Sequence, residues 1–229
     1  STGVATVSGA GSKWTNSSDL IVGRYGNGIL KIEAGGEVSN TYGYIGHDST
    51  SSGMATVTGL GSQWNNSSEL YVGMNSGASG TLNVTDGGLV EVNGSTLVGF
   101  DNSSAGAIHF DNGTLTTESL YSAFADLGGT GTINTHGLVS DVDLVFDATH
   151  GLTQSFALTD PGQNITVHLD VDGTSPMGAG FYGNGTLRIA DGLIIGSTAG
   201  YVGYKSSSTG VATVSGADSK WTNSGSLYV

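Results

Sequence analysis

The sequence predicts an all-β protein, a right-handed parallel β-helix (β-solenoid) of about nine coils of ~25 residues. Three observations predict it. Near-identical segments recur along the chain, glycines open successive units at an almost constant step, and apolar residues alternate with polar ones between those glycines.

The recurrence comes first. Residues 1–22 read STGVATVSGAGSKWTNSSDLIV and residues 208–229 read STGVATVSGADSKWTNSGSLYV. A third copy, SGMATVTGLGSQWNNSSELYVG, fills 52–73, and Trp14, Trp64 and Trp221 mark the shared register. Between these copies lies a second kind of unit: GILKIEAGGEVSNTYGYIG at 28–46, GTLNVTDGGLVEVNGSTLVG at 80–99 and GTLRIADGLIIGSTAGYVG at 185–203. The opening glycines are Gly3, Gly28, Gly53, Gly80, Gly106, Gly131, Gly185 and Gly210, spaced 25, 25, 27, 26, 25, 54 and 25. The value 54 reads as two units of 27, the intervening opening near Leu158 having lost its glycine.

Within each unit the period is 2, so alternate residues share a face. Leu30/Ile32, Leu82/Val84, Ile108/Phe110 and Leu187/Ile189 are expected inward, with Lys31, Asn83, His109 and Arg188 outward. Ala5/Val7, Ala55/Val57 and Ala212/Val214 take the same inward places in the tryptophan units. One unit cannot bury its apolar face alone, whereas units stacked at ~4.8 Å share a continuous core. Glycines are expected to supply the positive φ of the sharp turns. Gly35-Gly36, Gly87-Gly88 and Asp191-Gly192 occupy one such turn. The aligned Asn16, Asn66 and Asn223 read either as a stacked amide ladder or as ordinary turn residues.

Composition narrows the function classes. The 229 residues carry 40 glycines without a Gly-X-Y period, which excludes collagen. Six Lys+Arg against 19 Asp+Glu, a net charge of −13, leave no basic surface for nucleic acid or anionic membranes. Divalent cations and neutral glycans remain compatible partners. With no cysteine there is neither a disulfide framework nor a thiolate site. No stretch approaches the ~18–20 apolar residues of a membrane span, so no direct membrane insertion is expected. The chain starts in mid-pattern, and residues 1–229 are expected to be one β-helix segment of a longer array. Residues 1–101 form regular alternating coils, 102–182 irregular ones and 183–229 regular ones.

The pattern ATVSGxGSxWxNSxxLxVG, alternating with GxLxIxxGGxV…YIG, resembles the repeat associated with type V secretion (autotransporter) and PEP-CTERM proteins. The resemblance covers residues 1–101 and 183–229. It implies a bacterial passenger-type β-helix, extracellular or held at the outer cell surface, and it carries no catalytic residues.

Motifs for hydrolysis, phosphate binding or metalloprotease chemistry are absent from the sequence. Two runs in the middle stretch resemble each other at an offset of 29: Ser140-Asp141-Val142-Asp143-Leu144 and Leu169-Asp170-Val171-Asp172-Gly173. On adjacent coils, Asp141, Asp143, Asp170 and Asp172 would form a four-carboxylate patch with His168 on its flank. Hard oxygen ligands of that kind suit Ca²⁺, the one cofactor considered. A carboxylate pair could also serve acid/base chemistry on a polysaccharide, although the stretch holds no Lys or Arg. The alternative is a solvated acidic face. Thr-His-Gly-Leu occurs at 135–138 and 149–152 and reads as a turn. An outward column in the closing strands, Ile21, Tyr44, Tyr71, Leu97, Tyr201 and Tyr228, reads either as cross-strand stacking or as a lateral contact surface for sister fibres or sugar rings. The expected role is a structural or adhesive stalk, not an enzyme. The rivals are a self-assembling filament subunit, with partners being copies of itself, and a glycan-binding or glycan-degrading module.

Overall fold

A computed structural model describes residues 1–229. The chain is nearly all β, with parallel strands stacked into a β-solenoid of about 9 turns of ~25 residues. The 3-10 turn Phe124–Asp126 is its one helical piece. Two compact units divide it: Ser1–Thr117, Ala125–Asn134 and Ala157–Thr166 form the first, and Glu118–Phe124, Thr135–Phe156 and Val167–Val229 the second.

A regular coil has three strands. In coil 1 they are Thr2–Ser8, Lys13–Thr15 and Leu20–Val22; in coil 2, Asn27–Glu33, Glu37–Asn40 and Gly43–Ile45; in coil 3, Ser52–Thr58, Gln63–Asn66 and Leu70–Val72. Coil 4 keeps Ser79–Thr85 and fuses its other two strands into Leu89–Val98, and coil 5 runs as the single strand Ala105–Ser122. In these regular coils each strand pairs in parallel with its counterpart in the next coil. The inward column therefore reads Ala5, Leu30, Ala55, Leu82, Ile108, and beside it Val7, Ile32, Val57, Val84, Phe110. In the second unit Leu144, Leu187 and Ala212 align, as do Phe146, Ile189 and Val214. The inner members of these columns are buried, while Lys31, His109 and Arg188 are exposed, as the period-2 pattern predicts.

Glycines supply positive φ at the turns as expected, but the opening glycines have another role. The opening glycines Gly28, Gly53, Gly80, Gly106, Gly185 and Gly210 are not in the positive-φ region. Positive φ falls on the closing glycines before them, Gly23, Gly46, Gly73, Gly99, Gly180 and Gly203, where the chain turns from third strand to first. There Gly73 N–H donates to Ile45 O at 2.8 Å, continuing the ladder through the corner. Gly80 packs its Cα against both atoms of that bond, and a Cβ would overlap them. Its reason is close approach, not φ. The turn from first to second strand does need positive φ. Ala34-Gly35, Asp86-Gly87 and Asp191-Gly192 place two consecutive residues there, and Gly36 N–H donates to Glu33 O at 3.0 Å, the pattern of a type I′ turn.

The irregular stretch corrects the spacing of 54. It is not two coils of 27. Coil 6 is short, Leu127–Ser140, and leads through two residues into the coil 7 strand Asp143–Phe146. Asp143 lies opposite Thr186, so Val142, not a residue near Leu158, stands where the opening glycine would be. Leu158 instead ends the strand Thr153–Leu158, which is followed by Gln163–Asp170. Leu152 faces Val171, Thr153 faces Asp170, and Ser155 faces His168, so these two strands run antiparallel as a hairpin. Pro161-Gly162 turns it, with Gly162 at φ 87° and Gln163 N–H donating to Asp160 O at 2.8 Å. Coil 7 closes with Met177–Ala179. Coil 8 follows with Asn184–Ile189, Ile194–Ser197 and Gly200–Val202, and coil 9 with Thr209–Val214, Lys220–Asn223 and Leu227–Tyr228.

Candidate functional site

The four aspartates do not assemble into one patch. Their two runs would have to sit on adjacent coils in matching register, but Asp143–Phe146 pairs with Asn184–Ile189, while Asp170 closes the hairpin. Each carboxylate has its own local partner. Asp141 Oδ1 accepts the backbone N–H of Phe181 at 2.6 Å and of Tyr182 at 3.0 Å. At the matching corner of coil 3, Met74 N–H is taken by the carbonyl of Gly46. The two-residue link between coils 6 and 7 is too short to present such carbonyls, and Asp141 replaces them. Asp143 accepts from Thr186 Oγ1 at 2.7 Å, and Asp170 from Thr153 Oγ1 at 2.7 Å. Asp172 accepts from the hydroxyl and amide of Thr174, which hold its carboxyl below the usual range, with His136 nearby adding to the effect. His168 meets Ser155 Oγ at 2.7 Å. No group of three or more His, Asp or Glu is gathered in a way that could hold a metal ion.

The two Thr-His-Gly-Leu segments also behave separately. His136 lies 3.6 Å from Asp172, and His150 lies 2.7 Å from Asp147. Asp147 accepts from the His150 ring and from the amides of Thr149 and His150, with Arg188 at 3.4 Å. The His150 hydrogen bond is the main reason its carboxyl falls to about 2.

The closing-strand stripe is present in register. Ile21, Tyr44, Tyr71 and Leu97 align in the first unit, and Tyr201 and Tyr228 in the second. Tyr44 and Tyr71 stack at 5.3 Å and 11°, and Tyr201 and Tyr228 at 5.1 Å and 7°. His47 and Phe100 close on the edges of Tyr44 and Tyr71. Burial, helped by Asp19, raises the Tyr44 phenol pKa. Parallel stacking turns ring faces toward each other, so the rim left to solvent is mostly ring edge. Leu97 departs from the expectation. It keeps the register but is only 6% exposed, because the third-strand segment from Thr96 to Val98 is buried throughout. In the second unit Tyr121, Phe181, Tyr201 and Tyr204 form one aromatic cluster. Lys205 Nζ lies 5.1 Å over the Tyr204 ring, and burial raises the phenols of Tyr121 and Tyr204.

A further constellation sits between coils and escaped the sequence reading. The Trp64 indole N–H of coil 3 donates to Asn40 Oδ1 of coil 2 at 2.6 Å, and Asn40 Nδ2 donates to Asn66 Oδ1 at 2.7 Å. All three side chains are buried. The second unit repeats the relay with a hydroxyl. Trp221 N–H donates to Ser197 Oγ at 2.9 Å, and Ser197 Oγ donates to Asn223 Oδ1 at 2.5 Å. A small residue completes the fit. A Cβ on Gly43 would lie 2.8 Å from Leu70 Cδ1 and 3.2 Å from Trp64 Cζ2, and one on Gly200 would lie 2.6 Å from Leu227 Cδ1 and 2.9 Å from Trp221 Cζ2. The signal was available in the spacing Val38-x-Asn40-x-x-Gly43 and Ile195-x-Ser197-x-x-Gly200, each preceding a tryptophan unit. Coil 4 precedes no tryptophan unit. It has Val92 and Thr96 at those places, since Val92 pairs with Asn66 and Thr96 with Leu70.

No protein-family model, curated protein or solved structure matches this chain.

Proposed function

We propose that the chain is a structural segment, a rigid spacer or adhesive stalk on the outside of a bacterial cell, and that it does not act by catalysis. The observation that carries this reading is the in-register parallel pairing of strands from coil to coil. Force applied along such a stack loads many backbone hydrogen bonds together, and length grows by adding coils. The resemblance of residues 1–101 and 183–229 to autotransporter and PEP-CTERM-associated repeats supports an extracellular or outer-surface location. The acidic surface, with net charge −13, favours neutral glycans or protein over nucleic acid as contacts. The separation of Asp141 and Asp143 from Asp170 and Asp172 weighs against a carboxylate-based glycan-degrading site.

The test is mechanical and topological. Antibodies against the chain are expected to label intact cells. Pulling the isolated chain by its ends is expected to give steps that each release about one coil, ~85 Å of contour for ~25 residues. Labelling that requires permeabilised cells, or turnover of a polysaccharide by the purified chain, would sink the proposal.

A further inference from the structure

The relay between coils 2 and 3 has a direction. An indole N–H can only donate, so Asn40 must give its carbonyl to Trp64 and its amide hydrogens to Asn66. Asn66 spends its carbonyl on Asn40 and keeps its own amide hydrogens uncommitted. The next coil holds Val92 at the paired position, and a valine side chain has nothing to accept with. Asn66 is 2% exposed, and its Nδ2 has no hydrogen-bond partner in the chain. On the adjacent residue, Asn65 Oδ1 is buried and has no partner either. The relay thus ends on a buried donor with a buried acceptor beside it in sequence, and buried polar groups of this kind are costly unless something pairs with them.

Asn65 and Asn66 line one groove of about 340 Å³ on the flank of the first unit, at the ends of the second strands. Hydroxyls and amides of Ser39, Thr41, Ser67 and Asn93 supply much of its remaining wall, and no aromatic ring takes part. Glu91, opposite Asn65 in the ladder, is the one charged residue of the lining, and Gln63 Nε2 donates to its Oε2. Charge and hydrogen-bond inventory together select the ligand. A carboxylate with no cation beside it repels anions, and the free Asn66 donor suits an oxygen rather than a metal ion. A hydroxyl both donates and accepts, and a groove of this size holds far more than a single water, whose share of liquid volume is about 30 Å³. We propose that the groove binds a neutral sugar of a glycan. One sugar hydroxyl accepts from Asn66 Nδ2, a second donates to Asn65 Oδ1, and Glu91 accepts from a third. The Trp64–Asn40 relay fixes which end of the Asn66 amide meets the sugar. This site names the contact that the adhesive reading above leaves open and rests on that reading for its glycan, whereas surface labelling and stepwise unfolding under force test that reading without it.

The experiment titrates the full chain with trisaccharides of glucose, galactose, mannose and N-acetylglucosamine, and with trigalacturonate, while NMR follows the side-chain amides of Asn65 and Asn66. At least one neutral trisaccharide is expected to shift both amides saturably, and trigalacturonate is expected to leave them in place. Asn65→Ala, at a half-buried position, is expected to weaken the binding about tenfold, the loss of one hydrogen bond. Glu91→Gln keeps an accepting oxygen and removes the charge, so it is expected to hold the neutral sugar within about threefold and to admit trigalacturonate. Asn66→Asp removes the donor while keeping the acceptor that Asn40 uses, and where it folds it is expected to weaken binding at least as much as Asn65→Ala. Three results overturn the proposal: no shift with any neutral trisaccharide, tighter binding of trigalacturonate to the unaltered chain, or binding that Asn65→Ala leaves unchanged. Shifts confined to the Tyr44 and Tyr71 rings overturn it as well, since they place the sugar on the tyrosine stripe.

Discussion

Gly80→Ala tests the account of the coil corner. The added Cβ would lie 2.9 Å from Val72 C and would overlap both Ile45 O and Gly73 N, the partners of a 2.8 Å hydrogen bond. Those atoms are backbone, so relief requires the corner to open. Overpacking of this kind costs about 1–3 kcal/mol, and leaving a buried donor and acceptor poorly paired adds about 1–3 kcal/mol. Reduced freedom of the unfolded chain returns about 0.4–1 kcal/mol. The net expectation is a loss of about 1–5.6 kcal/mol. Gly3→Ala is the control. It occupies the same column, shows no positive φ, and a Cβ there meets nothing within 4 Å. It is expected to be neutral or stabilising by up to about 1 kcal/mol. Urea unfolding followed by circular dichroism measures the difference, and exchange of the Gly73 amide localises it. If the two variants fall within about 0.5 kcal/mol of each other, close approach is not why the opening residue is glycine.

Other perturbations follow from the same geometry. Asp141→Ala strips the acceptor from two backbone amides and is expected to cost about 2–3 kcal/mol, with Phe181 and Tyr182 amide exchange accelerated; an effect confined to other coils would refute its role in replacing corner carbonyls. The Asp147 carboxyl lies below its ordinary value, at about 2. Its contribution to stability is therefore complete above the unfolded value of 3.8 and lost as pH falls from there through about 2. An NMR titration midpoint at or above 3.8 would contradict this. Replacing Tyr44, Tyr71 and Tyr201 with Ser removes stacked pairs worth about 0.5–1.5 kcal/mol each. The melting temperature is expected to drop while retention on neutral polysaccharide stays unchanged; lost retention at an unchanged melting temperature would make the stripe a contact surface instead.

How far the sequence was legible depended on whether like or unlike units had to be compared. The inward Leu30, Leu82 and Leu187 and the tyrosine register followed from aligning each unit with its own kind, because repetition and period 2 report directly on strand faces. The Asn40 bridge and the Gly43 gap lie between unlike units, so aligning tryptophan units with one another left them out. The aspartate patch failed for a different reason. An offset of 29 places two runs side by side only if every coil has the same length and direction, and the hairpin Thr153–Leu158/Gln163–Asp170 breaks both conditions. Its signal was in view, since Pro161-Gly162 is one of only two proline positions in the chain and Pro-Gly is strong turn chemistry. Glycine itself was ambiguous in sequence. Close approach at Gly80 and positive φ at Gly73 demand the same residue, and only backbone geometry separates them.

Large and small core residues alternate from coil to coil, as in Ala5, Leu30, Ala55, Leu82 and Trp14, Val38, Trp64, Val90; the unit of growth is therefore a pair of coils, and a longer deletion will be tolerated better than a shorter one. Asn27, Ser52 and Ser79 occupy one register position in coils 2, 3 and 4. Removing residues 27–51 joins coil 1 to coil 3, setting Trp14 against Trp64, Leu20 against Leu70 and Ala5 against Ala55. The first two contacts are overpacked, at about 1–3 kcal/mol each, and the third leaves a gap where Leu30 had been, at about 2–5 kcal/mol. Removing residues 27–78 joins coil 1 to coil 4 and preserves Ala5 against Leu82 and Trp14 against Val90, the alternation seen within the chain. The second protein lacks 27 more residues and one more interface between coils, yet it is expected to retain the higher melting temperature and the bluer tryptophan emission. A lower melting temperature for the longer deletion would mean that coils are interchangeable and that volume alternation does not govern their order.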